Sequence, residues 1–141
     1  MKNKLENKIT QIPELTKKQS LVMNLLSNAN APLSAYNILY DLRDYGFRGP
    51  TQVYRVLEKL LEIGMVHRIE SMNAFIACQL KKCDKKNKEI NLFTICEICG
   101  SVQELMSNGL KSILNNLSND TKFVVKNSVL ELSGICSKCK E

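Results

Sequence analysis

Between Pro50 and Cys78 the chain changes its hydrophobic period once. Val53, Val56, Leu57, Leu60 and Leu61 recur at i, i+3, i+4, i+7 and i+8, the single apolar stripe of an amphipathic helix. Thr51 is its expected N-cap, behind Pro50, and Gly64 its stop. Beyond Gly64 the period shortens, and Met65–Glu70 and Ala74–Cys78 read as two strands around a turn at Met72-Asn73. Upstream, Thr16 and Gln19 form a T-x-x-Q capping box, and Val22, Leu25, Leu26 and Ala29 make the buried face of a first helix. Residues 27–32, SNANAP, form a loop by composition. Ser34 caps a second helix with Ala35, Ile38, Leu39 and Leu42 inward and Gly46 as its stop. Three helices and a hairpin in this order form a winged helix-turn-helix. Gln52, Tyr54 and Arg55 then leave the apolar stripe as the polar residues a recognition helix offers to a major groove. An ordinary amphipathic helix with a solvated polar face is the competing reading of that stretch.

Residues 79–91, QLKKCDKKNKEIN, carry five lysines and little periodicity, as a solvated linker does. From Leu92 the pattern resumes. LFTIC reads as a strand into CEICG, Ser101–Leu105 as its return strand, and Leu110, Ile113, Leu114 and Leu117 as the stripe of a short helix. Phe123–Leu132 is apolar and β-branched, a strand or a strand pair. The expected organisation is therefore α+β: a winged-helix domain over residues 1–80, a hinge over 81–91, and a small α/β domain over 92–141. A unit of that size buries little surface and needs a metal or a partner subunit.

The cysteines supply the metal. Cys96-x-x-Cys99 and Cys136-x-x-Cys139 are matched knuckles, and two such pairs close a tetrahedron around zinc. Redox dithiols are the alternative, but a pair of motifs framing an undersized domain points to a structural ion. No run of 18 apolar residues occurs, nor does a signal peptide, so a cytoplasmic setting is expected, where cysteines serve as ligands or free thiols. The net charge of +6 falls entirely before residue 92, on the side of the recognition helix, and suits a polyanionic partner. A catalytic site is hard to assemble. His67 is the only histidine, and neither a dinucleotide-binding nor a P-loop motif is present.

LSAYNIL, VYRVLEKLLEIGMVHRIES, CEICGSVQE and VLELSGICSKC together resemble the ferric uptake regulator family, with HRIES…NAFIAC most similar to its zinc uptake regulator branch. The resemblance covers roughly residues 15–141. It implies a homodimer of winged-helix and dimerisation domains that binds operator DNA in a metal-dependent way, usually as a repressor, with no membrane and no small organic substrate. By the resemblance, Tyr36 and Arg55 match base-contacting positions of the zinc branch, and Tyr54 belongs to the shared VYR motif. The sequence departs from the family in carrying Gln19 where an arginine is usual and Gln52 where its motif has threonine. The histidine-rich hinge of the iron and peroxide branches is missing.

A second, regulatory zinc is expected at the hinge. A two-residue turn at Met72-Asn73 would set His67 directly opposite Cys78, close enough to share an ion. Both positions match zinc-branch ligands, and the resemblance adds Glu104. The branch's fourth ligand is a histidine, for which Cys83 is the best substitute. The expected function is a zinc-responsive repressor of zinc uptake genes. The alternatives are a relative sensing another metal, a thiol redox sensor using the CxxC pairs, and a zinc-ribbon interaction module, which leaves the winged helix unexplained.

Overall fold

The computed structural model describes residues 14–80 and 90–140. The N-terminal half opens with α1 (Lys17–Asn28), where Thr16 Oγ1 accepts from the Gln19 N–H and the Gln19 side chain accepts from the Thr16 N–H. The capping box therefore forms as expected. Ser34 likewise accepts from the Asn37 N–H to start α2 (Ala35–Leu42), which runs into a 3-10 turn at Arg43–Tyr45 and stops at Gly46 with φ +96°. Helix α3 (Pro50–Glu62) begins two residues earlier than the pattern suggested. Gly49, not Thr51, is the N-cap, because Pro50 with its fixed φ fits the first helical position. The stripes converge as expected: Val22, Leu26, Ala35, Ile38, Leu39, Leu42, Val53, Val56, Leu57 and Leu60 are buried together around Phe47.

The wing consists of β1 (Val66–Ile69) and β2 (Ala74–Ala77). Its turn is longer than expected. Glu70–Met72 form a 3-10 turn closed by Asn73 in the left-handed region, so Ile69 pairs with Ala74 and His67 with Ile76. Cys78 stands opposite Met65 instead of His67, its N–H donating to the Met65 carbonyl. The predicted register is thus off by two in its pairing, and an even slip keeps every side chain on its face. Leu33 adds a third edge, exchanging both backbone hydrogen bonds with Phe75 at 2.8 and 3.0 Å, which ties the wing to the start of α2.

The second half holds β3 (Ile90–Cys96), β4 (Val102–Leu105), α4 (Asn108–Thr121) and β5 (Ser128–Gly134) in a sheet of order β4-β3-β5. Strand β3 starts two residues inside the lysine-rich stretch. The expected strand at Phe123–Leu132 begins only at Ser128, because the α4 C-cap at Lys122 must first turn the chain back. β4 runs antiparallel to β3, and β5 runs parallel. Ile69 and Ile76 of the wing pack with Phe93 and Ile95 of this sheet in a second small core. Among the described residues no helix is long and apolar enough to cross a membrane.

Gly64, at φ +80°, turns the chain from α3 into β1. Gly64→Ala should destabilise the fold by about 1–2 kcal/mol, the cost of a Cβ in the left-handed region, read as a lower urea midpoint.

Candidate metal centres and nucleic-acid interface

Parallel pairing of β3 with β5 brings the two cysteine knuckles together. Both strands end on the same side, Cys96 beside Gly134, and the Glu97 N–H donates to the Gly134 carbonyl at 2.8 Å. The first knuckle closes through Gly100, at φ +72°, whose N–H donates to the Cys96 carbonyl. The second closes through the Cys139 and Lys140 N–H groups on the Cys136 carbonyl. The Cys96, Cys99, Cys136 and Cys139 sulfurs all lie within 4.8 Å of one another. Cys99 Sγ is 3.8 Å from Cys136 Sγ, and a tetrahedron with zinc–sulfur bonds of about 2.3 Å has edges of about 3.8 Å.

The surroundings favour thiolate in the first knuckle. Backbone N–H groups of Cys99 and Cys136 aimed at the Cys96 sulfur lower its pKa to about 6, and the Ser101 hydroxyl and backbone lower that of Cys99. A hydrogen bond with the Cys136 sulfur, with burial and the other thiols adding to it, pushes Cys139 up to about 12. Four sulfurs that cannot all carry charge unaided are a donor set suited to a soft divalent cation.

A second cluster lies where the wing meets the sheet. His67, Cys78 and Glu104 place one ligand atom each within 4.8 Å of the others. His67 and Cys78 share a face despite the changed register, since Cys78 is two residues beyond Ile76, the partner of His67. His67 is 9% exposed and Glu104 5%. His67 Nε2 is 3.2 Å from Glu104 Oε1, and among the described residues it makes no hydrogen bond of proper geometry. A buried imidazole nitrogen and a buried carboxylate oxygen 3.2 Å apart, with the Cys78 sulfur within 4.8 Å of both, are three donors converging on one point. The set of nitrogen, sulfur and oxygen fits zinc. Cys78 is disulfide-bonded in the structure, so it becomes a thiolate donor on reduction. Cys83, the expected fourth ligand, lies outside the described residues.

Gln79 completes this site and had no signal in the sequence. Its N–H donates to Glu104 Oε2 at 3.0 Å, its Oε1 accepts from the Glu104 N–H at 2.9 Å, and its Nε2 donates to the Val102 carbonyl at 3.1 Å. Its side-chain amide thus pairs with the edge of β4 as a neighbouring strand would, holding the Glu104 carboxylate toward His67. The Phe93 ring lies 5.7 Å from the imidazole and walls the site on another side.

The exposed faces of α2 and α3 carry the other expected residues. Tyr36 is 66% exposed, Tyr54 39%, and Arg55 is exposed beside it. Gln52 differs from expectation. It is half-buried, and its Oε1 accepts from the Arg48 N–H at 2.7 Å, so its amide braces the start of α3. Tyr40, one turn beyond Tyr36 and 75% exposed, extends the same face. It follows Tyr36 by four residues, a helical repeat legible in the sequence.

Comparison with known proteins gives the family. The profile of the ferric uptake regulator family matches residues 14–133. The zinc uptake regulation protein of Escherichia coli is 35% identical over 128 residues, covering 90% of this chain and 73% of that protein. The ferric uptake regulation protein of Bacillus subtilis is 28% identical, covering 86% of this chain and 81% of that protein. Among solved structures, a zinc uptake regulator complexed with zinc and DNA superposes with a TM-score of 0.81 at 34% identity, covering 89% of this chain and 83% of that one. Holo XcZur superposes at 0.78 with 33% identity, covering 89% and 86%.

The two clusters are separate in space and should be separable by mutation. Under reducing conditions Cys136→Ser should remove the tightly held equivalent of zinc and unfold the C-terminal half. His67→Ala should remove only the weaker equivalent and leave the fold intact. Metal analysis after gel filtration, with circular dichroism, checks both.

Proposed function

The chain belongs to the ferric uptake regulator family, and from that premise we propose that it is a zinc-responsive repressor that binds operator DNA as a homodimer and controls zinc uptake genes. The observation that carries the reading is the meeting of His67, Cys78 and Glu104 at the junction of wing and sheet. The relative solved with zinc and DNA supports the choice of ion and of partner. In this reading the protein is a regulator, not an enzyme, and works in the cytoplasm. Its proposed division is a winged-helix domain over 1–80, a hinge over 81–91, whose last two residues Ile90 and Asn91 already belong to β3, and a dimerisation domain over 92–141.

Two zinc ions have separate tasks. Cys96, Cys99, Cys136 and Cys139 hold the structural one, which takes the place of the core that so small a domain lacks. His67, Cys78 and Glu104, with Cys83 as the proposed fourth ligand, hold the regulatory one. Zinc bound there would join side chains of the wing and of the sheet through His67, Cys78 and Glu104. The residues do the rest. Gln79 aims Glu104, Phe93 excludes water, and Leu33 passes the wing's position to α2.

The dimer follows from exposed apolar surface. Ile113 and Leu117 of α4 and Val129 and Leu132 of β5 are each at least half exposed. No α4 residue is buried in the single chain. A second copy covering these residues places two α3 helices for two half-sites. Arg55 contacts a purine edge in each, with Tyr36 and Tyr54 adding base or backbone contacts. Gln52 contributes through its amide nitrogen. Fixing the angle between the two helices favours the operator-competent population by about 1–3 kcal/mol.

A redox reading has one observation in its favour, the disulfide at Cys78. An oxidised sulfur is no thiolate ligand, so oxidant should oppose zinc in the same assay.

Operator binding titrated with zinc, iron and manganese, in reductant and in oxidant, tests the proposal. Zinc should tighten binding in reductant, and chelator or oxidant should release the DNA. His67→Ala should bind equally weakly with and without zinc while remaining dimeric. Arg55→Ala should lose about 1–3 kcal/mol of discrimination at one base pair per half-site. Zinc-independent binding by the wild type would refute the sensing role.

A further inference from the structure

The sheet presents a second carboxylate to the wing, and the metal set does not use it. Glu131 on β5 accepts from the Glu70 N–H at 2.6 Å and from the Ser71 N–H at 3.2 Å. These are consecutive amides at the turn of the wing, about 60 residues away in sequence, and no strand pairing satisfies them. Glu131 stands beside Phe93 in the sheet, and Phe93 stands beside Glu104. Neighbours across a sheet share a face. The two carboxylates therefore flank one aromatic ring and reach the wing at its opposite ends. Glu104 meets Gln79, where β2 has just ended, and Glu131 meets the turn before β2 begins.

The four residues of β2 span about 13 Å, so the two attachments are well separated. Two separated contacts fix a rotation that one leaves free. The apolar contacts of Ile69 and Ile76 with Phe93 and Ile95 hold the wing against the sheet, but such packing is non-directional and does not choose an angle. Hydrogen bonds from two amides to an ionised acceptor are directional and strong. From the turn, β2 leads to Phe75, whose paired bonds with Leu33 deliver the wing's position to α2 and so to the helix-turn-helix.

We propose that Glu131 is a positioning residue for operator binding, which clamps the turn of the wing to the dimerisation sheet and sets the angle at which the recognition helix is presented. The proposal rests on the repressor reading above. Glu104 serves both the metal and the wing base, whereas Glu131 serves the wing alone. Its removal loosens the angle without emptying either metal site.

The test uses the full chain loaded with zinc, as wild type, Glu131→Ala and Glu131→Gln. Amide exchange at Glu70 and Ser71, zinc per chain, dimer content and operator affinity are measured on each. Glu131→Ala should exchange these two amides roughly tenfold faster and bind operator roughly tenfold more weakly, as loss of charge-assisted bonds predicts. Its zinc content and dimer should be unchanged. Glu131→Gln, whose amide oxygen still accepts, should recover most of both. Unchanged exchange, or faster exchange with unchanged operator affinity, overturns the proposal, as does loss of zinc or dimer together with affinity. A wild type that ignores the operator refutes the repressor reading instead, and the exchange data still uphold or overturn the clamp.

Discussion

The parallel pairing of β3 with β5 is the constraint on which the second half depends. Parallel strands finish at the same end, so the cysteine knuckles that follow each strand arrive side by side. An antiparallel pairing of the same segments would separate the knuckles by the length of the strands. The same register puts Glu131 beside Phe93, and the antiparallel β4 puts Glu104 on the other side. One strand, β3, thus orders a sulfur cluster at its end and a row of wing-facing side chains across its middle.

The N-terminal half was readable because its signals are local. Caps, stripes and stops lie within one turn of the residues they control, and Thr16, Ser34 and Gly64 act where the pattern put them. The wing was less readable. Met72-Asn73 looks like a two-residue turn, but Asn73 is the left-handed residue that closes a longer one. The error still left His67 and Cys78 on one face, because pairing slipped by an even count. The knuckles were legible from spacing, whereas the parallel topology that joins them has no local signature. Gln79 and Glu131 stayed hidden for the same reason. Glu131 alternates with Leu130 and Leu132 as any solvent-facing strand residue would, and only the position of the wing reveals its partners.

The two halves are joined by different kinds of contact, each suited to a task. The apolar cluster around Phe93 brings wing and sheet together over a small area. Gln79 imitates a strand edge and so sets a register between them. The buried His67 and Glu104 add a polar pair 3.2 Å apart, with the Gln79 N–H holding the other carboxylate oxygen. The junction thus combines a small apolar contact with directional polar ones.

His67 is the only imidazole in 141 residues, and it sits nine-tenths buried between the two halves. Its ring resonances therefore come from one place in the molecule and need no assignment. In a symmetric dimer they would collapse to a single set. Tautomer, protonation and metal attachment at the junction can all be followed by nitrogen chemical shift on the unmodified chain, so the protein carries its own reporter where its two halves meet.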